Sequence, residues 1–287
     1  MMYRPLETRP DSYQEWHQQG NTLHAEGHYQ QALASYERAL EYHPRDYWSW
    51  YRKGVVLEDL GYYSEAINSY AQATAIKPDN YWAWYDQGCI YLTELEQYRQ
   101  AIACFAQALV AHPQDYWSIY RTGFSWCKLA EYEQAIAYYN QALELRPRDF
   151  WALYRRGEAL QKWGNLEGAL ESYDAALTIK ADDYWAWYQK GTILQELGQL
   201  LAAINCYDRA LALDSKSDDS WYQQACCYAL LNNNNWAITS LEKAIDIYPE
   251  KYLELATNEA IWDEFRKQSG FQSLITNKSK KYLSNSH

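Results

Sequence analysis

Aromatic and small side chains recur at a fixed interval along most of the chain. The string Tyr-Trp-x-Trp-Tyr begins at Tyr47, Tyr81 and Tyr184, and close variants of it begin at Tyr116 and Phe150. The interval is 34 residues, or 35 in the one repeat that carries an inserted residue. Self-similarity at a period of about 20–50 residues is typical of stacked repeats, so the pattern predicts an array of equivalent elements instead of a single globule.

Each repeat, counted from its first aromatic position, predicts two amphipathic helices. The seven repeats are 13–46, 47–80, 81–115, 116–149, 150–183, 184–217 and 218–251. Positions four, eight and eleven share one stripe of a helix. Position eight is Gly in the first six repeats and Ala225 in the seventh, and positions twenty and twenty-seven are Ala in all seven. Trp at position four, as in Trp50, supplies bulk, and the small residues let the second helix come close.

Glycine and proline mark the expected ends of these helices. The left-handed residue that ends a first helix is matched by Gly27, Gly61, Gly164 and Gly198. Asn232 tolerates the same conformation, whereas Glu96 and Ala130 are poorer fits. Proline at position thirty-two of five repeats, as at Pro44, stops the second helix because it has no N–H to continue the ladder.

This pattern resembles the tetratricopeptide repeat family over residues 13–251. The resemblance implies an all-α fold, a right-handed superhelical solenoid of seven helix-turn-helix tetratricopeptide repeats. Residues 1–12, which carry Pro5 and Pro10, are expected to form a loose leader before the first repeat.

The residues after the seventh repeat are expected to cap the array. A stacked array leaves its last apolar face exposed, so a capping segment is predicted at residues 252–276. Its first sixteen residues are predicted to form one helix, in which Leu255, Trp262 and Phe265 share an apolar stripe. Residues 277–287, rich in Ser, Asn and Lys, are expected to form a disordered tail.

The composition disfavours several classes of function. The 287-residue chain has a net charge of −11, which disfavours nucleic-acid binding because a phosphate backbone is held by a basic surface. No apolar run approaches the roughly 18 residues that a spanning helix needs, and no signal peptide is recognisable. The six cysteines form no CxxC pair, which favours reduced thiols in a cytoplasmic protein.

Motifs that carry catalytic chemistry are missing from the sequence. It contains no glycine-rich phosphate loop and no GxSxG or HExxH motif. His24 and His28 are four residues apart, but Gly27 between them is expected to end the helix and to spoil a shared metal site. We therefore predict no enzyme, no metal and no cofactor. The layout of one repeat module suggests a bacterial adaptor.

The family resemblance implies that positions two, five, nine and twelve face a concave groove. Position two is Trp in five successive repeats, where the family more often has a polar residue, and position five is Tyr in six. The predicted partner-binding residues of this groove are Trp48, Tyr51, Trp82, Tyr85, Trp117, Tyr120, Trp151, Tyr154, Trp185, Tyr188 and Tyr222. Family members that grip a carboxylate terminus carry Lys at position five, so that clamp is not expected here.

Two readings of the five position-two tryptophans stay open. Each indole either packs sideways against the neighbouring repeat or stays open as a binding surface, and a mixture leaves one face free. An open ladder attracts Lys and Arg through cation–π contacts and stacks on proline rings. Attraction for a basic segment is expected from Asp46, Asp86, Asp115 and Asp149, and opposition from Arg52, Arg121 and Arg155.

The predicted function is a non-catalytic scaffold or adaptor that binds a partner segment in this groove. We expect a protein or peptide partner, basic or proline-containing, with no nucleic acid and no membrane insertion. The alternative is a structural or self-associating module, in which the aromatic surface meets another copy of the chain. A carbohydrate also stays open as a ligand, because sugar rings stack on indoles.

Overall fold

The computed structural model describes residues 12–285, and their secondary structure is helical, without a strand. Seven pairs of helices follow one another: α1 (Tyr13–Ala25) and α2 (Tyr29–Tyr42), α3 (Tyr47–Asp59) and α4 (Tyr63–Ile76), α5 (Tyr81–Thr93) and α6 (Tyr98–Ala111), α7 (Tyr116–Lys128) and α8 (Tyr132–Leu145), α9 (Phe150–Trp163) and α10 (Leu166–Ile179), α11 (Tyr184–Glu196) and α12 (Leu200–Leu213), α13 (Asp218–Leu230) and α14 (Asn234–Ile247). The predicted all-α fold class is confirmed. The expected leader, apart from Ser12, lies outside the described residues.

A polar side chain begins the first helix of every pair. The carboxylate of Asp46 accepts a hydrogen bond from the backbone N–H of Ser49 at 2.8 Å, and Asp115 does the same for Ser118 at 2.7 Å. The equivalent caps are Ser12, Asn80, Asp149, Asp183 and Ser217. Such caps satisfy N–H groups that a helix N-terminus leaves unpaired, and a carboxylate there also meets the positive end of the helix dipole.

The residue that ends the turn inside each pair has a positive φ in all seven repeats. It is glycine at Gly27, Gly61, Gly164 and Gly198. Asn232 adopts φ 55°, and Glu96 and Ala130, the poorer candidates by sequence, adopt 51° and 59°. In the fourth repeat the N–H of Glu131 donates to the carbonyl of Trp126, which satisfies an end carbonyl of α7 and offsets the strain at Ala130.

Close packing within a repeat depends on the glycine at position eight. A Cβ added to Gly54 would lie 2.6 Å from the ring of Tyr70, which is fully buried on α4. The seventh repeat carries Ala225 at position eight and the smaller Leu241 in place of the ring, and both are buried in one core cluster. The aromatic ring on the second helix is therefore the group that requires glycine on the first.

The helix pairs stack in sequence order within two compact halves, which divide between Leu145 and Arg146. In the N-terminal half each first helix packs on the second helix of the preceding repeat, as α5 does on α4 and α7 on α6. In the C-terminal half α11 packs on α10 and α13 on α12 in the same way. Within each half, equivalent residues of successive repeats therefore recur along the stack.

The segment after the seventh repeat differs from the single helix predicted for it. Helix α15 (Pro249–Asn258) stops at Glu259, whose backbone is extended, with φ −76° and ψ 138°. Two short 3-10 turns follow at Ala260–Trp262 and Phe265–Lys267. The prediction of one continuous helix is wrong, although Trp262 and Phe265 are buried against the seventh repeat as a cap requires.

Helix α16 (Ser269–Asn285) includes most of the residues expected to be disordered. Phe271 and Leu274 hold it in the core cluster of the seventh repeat. Lys278 adds ion pairs with Glu242 and Asp246 of α14 at 2.8 and 2.6 Å. Residues 277–285, for which the sequence predicted a disordered tail, thus belong to helix α16. Residues 286 and 287 lie outside the described part of the chain.

Candidate functional site

The indole at position two is exposed in five successive repeats, and we call these five side chains the open tryptophan row. Its members are Trp48, Trp82 and Trp117 in the N-terminal half and Trp151 and Trp185 in the C-terminal half. Each lies one residue after the start of a first helix, and each is 46–59% exposed. Rings of this size carry much apolar area, so the row is a candidate interaction surface.

The same three-ring arrangement holds each indole. The ring of Trp82 stands edge-on to Tyr81, with centroids 5.2 Å apart and planes at 79°, and Tyr81 stacks on Tyr85 at 5.3 Å. Equivalent edge-on contacts at 5.0–5.1 Å hold Trp48, Trp117, Trp151 and Trp185. The indoles thus pack on rings of their own repeat and keep an open side.

The hydroxyl of the position-one tyrosine ties one repeat to the next. Tyr81 donates to the carboxylate of Asp115 at 2.9 Å, and Asp115 caps the first helix of the following repeat. The hydroxyl of Tyr184 lies 2.9 Å from that of Ser220 in the following repeat. These bonds fix the rings on which Trp82 and Trp185 pack, so contacts between repeats orient these two indoles.

The position-five tyrosines lie beside the row. The ring of Tyr51 meets Trp48 edge-on at 5.9 Å, and its hydroxyl donates to Asp86 of the next repeat at 2.8 Å. Burial raises the pKa of the Asp86 carboxyl, and the bond from Tyr51 partly opposes this. Arg121 of the fourth repeat donates to the hydroxyl of Tyr85 of the third repeat at 3.1 Å. Burial raises the pKa of Tyr85 to about 12.

Two of the predicted site tyrosines are buried. Tyr222 is only 5% exposed, because its ring packs on Tyr252 and Trp262. Its hydroxyl donates to Glu259 at 2.5 Å. Tyr154 is 7% exposed. The C-terminal segment thus covers the position-five ring of the seventh repeat. Tyr222 is therefore not part of the candidate interaction surface.

The acids expected to attract a basic segment have other partners. Asp46, Asp115 and Asp149 are the caps of α3, α7 and α9. Asp86 accepts the bond from Tyr51. Because these carboxylates are engaged by helix N–H groups and phenols, the attraction for a basic partner that they suggested by sequence is weakened.

Basic side chains recur in the loops that lead into the helices of the row. Position thirty-one is His43, Lys77, His112, Arg146 and Lys180 in five successive repeats. The ring of His112 meets Tyr81 edge-on at 5.1 Å, and Nζ of Lys180 lies 5.4 Å from the centroid of Phe150. Their recurrence at one position is the sequence signal that identifies them.

A cleft of about 670 Å³ opens beside Trp82. Tyr81 and Trp82, at the start of α5, form one wall, and the loop after α6 forms the other. The loop residues that line it are His112, Pro113, Gln114 and Asp115. Ring surface and polar loop groups therefore meet at this opening, which suits a segment that carries both apolar and polar side chains.

The tryptophans at position four serve the stack instead. The indole N–H of Trp50 donates to the carbonyl of Pro44 at 2.9 Å, and that of Trp84 to Pro78 at 2.9 Å. Trp187 and Trp221 make equivalent bonds to Ala181 and Ser215. The two tryptophans of the Tyr-Trp-x-Trp-Tyr string thus differ in role, since one fixes the inter-repeat loop and the other faces outward.

Histidine and cysteine side chains of the described residues have structural surroundings. Within residues 12–285 no group of three or more His, Cys, Asp or Glu side chains is placed to hold a metal ion. His24 instead lies 2.6 Å from the carboxylate of Asp59. Burial raises the pKa of the Cys89 and Cys226 thiols to about 12, so they are poor nucleophiles. Among the described helices, none has the length and apolarity needed to cross a bilayer.

Family models match most of the repeat region. Models described as tetratricopeptide repeat or TPR repeat match residues 17–81, 83–114, 127–164, 184–217 and 218–251. A model of the protein prenyltransferase alpha subunit repeat matches residues 166–197. No curated protein sequence gives a significant match.

Solved structures share the fold at low sequence identity. The C-terminal part of a TPR repeat-containing protein from Cytophaga hutchinsonii is 15% identical, covering 83% of this chain and 98% of that one, with a TM-score of 0.69. A tetratricopeptide repeat protein from Parabacteroides merdae is 17% identical, covering 87% and 100%, with a TM-score of 0.60. YrrB, described as a TPR protein with an unusual peptide-binding site, is 22% identical, covering 67% and 98%, with a TM-score of 0.59.

Proposed function

Because the chain belongs to the tetratricopeptide repeat family, we propose that it is a non-catalytic scaffold that binds a segment of a partner protein along the open tryptophan row. The repeats and the related folds fit a protein-interaction role. The finer assignment, to the position-two indoles and the accessible position-five tyrosines beside them, comes from the site geometry. A cytoplasmic location fits the six free cysteines.

The observation that carries this proposal is the exposure of five identically held indoles. A Trp side chain offers roughly 150–250 Å², so half-exposed rings leave about 100 Å² each. Three of them in the N-terminal half amount to about 300 Å², the size of the largest apolar patches on typical monomers, which are often functional. Indole and phenol faces stack on proline rings and aliphatic side chains of extended segments, while their polar groups bond to the peptide backbone.

Affinity purification with a triple variant tests the proposal. Replacing Trp82, Trp117 and Trp151 by Ala is expected to abolish recovery of the partner captured by the unaltered chain, because these are the contact rings. The partner is then purified and titrated against both proteins. The matched control is Trp163→Ala with Trp236→Ala, which removes two indoles of similar exposure, 52% and 57%, that lie outside the row. Retained binding by the helical triple variant would eliminate the row as the site.

Self-association along the same rings is the alternative function. A second copy would cover the apolar area as well as a partner segment would. Light scattering of the full chain separates the two. We expect a monomer at high concentration, and an oligomer that dissociates in the triple variant would favour self-association.

A further inference from the structure

The step between indoles in the open tryptophan row fits an extended peptide. Packed helices lie about 8–10 Å apart, and first helices of successive repeats touch directly in pairs such as α11 and α13. A stack with this helix spacing places successive indoles of one half about 10 Å apart. An extended or polyproline II chain rises about 3.1–3.4 Å per residue, so every third residue of such a segment would meet an indole.

The exposed charge of the loops between repeats is mainly basic. These loops present exposed Arg45, Lys77, Arg146, Arg148, Lys180 and Lys216, against exposed Asp79, Asp182 and Asp214. This balance of six cations to three carboxylates is opposite to that of the whole chain, whose net charge is −11.

The other acids of these loops face the helices. Asp46, Asp115 and Asp149 accept backbone N–H bonds as caps, and the positive end of the helix dipole offsets part of their charge. Asp183 is 8% exposed and pairs with Lys180 at 2.8 Å. A ligand along the row consequently meets outward-facing cations, whereas most loop carboxylates point inward.

We propose that the partner segment is acidic and extended, with proline or another apolar residue at every third position and carboxylates between them. The apolar residues cover the indoles, and the carboxylates face the basic side chains at positions thirty-one and thirty-three. This inference rests on the proposed function, because it concerns the ligand of the same row. It replaces the basic segment that the sequence alone favoured.

Two fluorescein-labelled peptides test the sign of the charge. One repeats the triplet Pro-Glu-Leu, and its matched partner repeats Pro-Lys-Leu at the same length. Fluorescence anisotropy with the full chain is expected to show about tenfold tighter binding of the acidic peptide, weakening as salt rises. The net negative charge of the whole chain favours non-specific attraction of the basic peptide. Tighter binding of the acidic peptide would therefore have to come from the local charge of the site. Equal or tighter binding of the basic peptide, or binding of neither, would overturn the inference.

Charge-reversal variants locate the effect. Arg45→Glu with Lys77→Glu is expected to weaken acidic-peptide binding about fivefold to tenfold, because both are exposed in the loops that lead into the helices of Trp48 and Trp82. Arg99→Glu with Lys243→Glu changes the net charge equally at exposed positions on second helices, and it should leave the affinity within about twofold. Equal losses in the two variants would mean that only net charge matters, which would contradict the proposal.

A tryptophan variant distinguishes the proposed binding site from the proposed acidic character of the partner. If Trp82→Ala with Trp117→Ala binds the acidic peptide as the unaltered chain does, the row is not the site and the proposed function fails with the inference. If binding is lost in that variant but is indifferent to charge reversal, the row stands and only the acidic character of the partner fails.

Discussion

The position-two indoles of the second to sixth repeats and the aromatic rings at the C-terminal end have opposite environments. Trp82 and Trp151 are 53% and 55% exposed, whereas Trp262 is fully buried between Tyr222 and the rings of the last segment. The chain thus covers the aromatic face where the stack ends and leaves it open in the middle. Because the same chain buries its aromatic rings at the C-terminal end, the exposure of the row favours a surface for a partner over incomplete packing.

The same comparison separates stability from binding. At the C-terminal end an indole contributes its whole area to the core, and its N–H donates to the hydroxyl of Tyr222 at 3.2 Å. In the middle repeats an indole contributes about half of its area and rests edge-on against one or two rings of its own repeat. Removing a ring should therefore damage the fold at the end of the stack and the binding in the middle.

The largest expected effect follows from removing the buried indole. We predict that Trp262→Ala lowers the free energy of unfolding by about 3–5 kcal/mol, because it leaves a cavity under Tyr222. Urea unfolding followed by circular dichroism measures it. Trp151→Ala in the open row should cost about 1–2 kcal/mol, from the half of the ring that is buried. Equal losses in the two variants would remove the distinction between the covered end and the open row.

A smaller effect is expected from adding one methyl group at position eight. Gly54→Ala should cost about 1–3 kcal/mol, because the new Cβ would lie 2.6 Å from the ring of Tyr70. The seventh repeat, with Ala225 and Leu241, shows which pairing tolerates alanine. We therefore predict that Tyr70→Leu lowers the free energy of unfolding less in the Gly54→Ala variant than in the unaltered chain. A double-mutant cycle of unfolding free energies measures this difference. An additive cycle would show that the ring does not require the glycine.

The smallest effect concerns the carboxylate beneath the open row. Burial raises the pKa of Asp86, so the folded chain holds a proton there more readily than the unfolded chain does. Its contribution to stability should therefore fall as pH rises from its ordinary value of 3.8 through the raised pKa. The Asp86→Asn variant keeps an acceptor for Tyr51 and removes this dependence. Its free energy of unfolding, measured relative to that of the unaltered chain, should therefore increase from pH 4 to pH 7. A difference that is flat across this range would contradict the assignment.

Much of the fold could be predicted from the sequence because its determinants are local and repeated. Glycine at position eight and the turn residues, including Asn232, act within one repeat, so each recurs as a readable signal. The C-terminal segment is not repeated, and the break at Glu259 depends on tertiary contacts of Trp262. The periodicity of the sequence does not indicate these contacts. The ordering of Lys278 by two carboxylates of α14 is likewise a long-range effect.

The candidate site could be predicted only in part. Position two and position five were found because they recur, but burial of Tyr222 depends on the covering segment. The engagement of Asp86 by Tyr51 crosses from one repeat to the next, so neither residue reveals it alone. The basic side chains at position thirty-one were visible in the sequence, and only their placement beside the rings shows what they flank.

Hydroxyl-radical footprinting of the free chain, with mass spectrometry of each tryptophan, tests the central claim most directly. The account predicts that Trp48, Trp82, Trp117, Trp151 and Trp185 are oxidised about as fast as the exposed Trp163, while Trp262 stays protected. Protection of the five indoles to the level of Trp262 in the monomeric chain would contradict it.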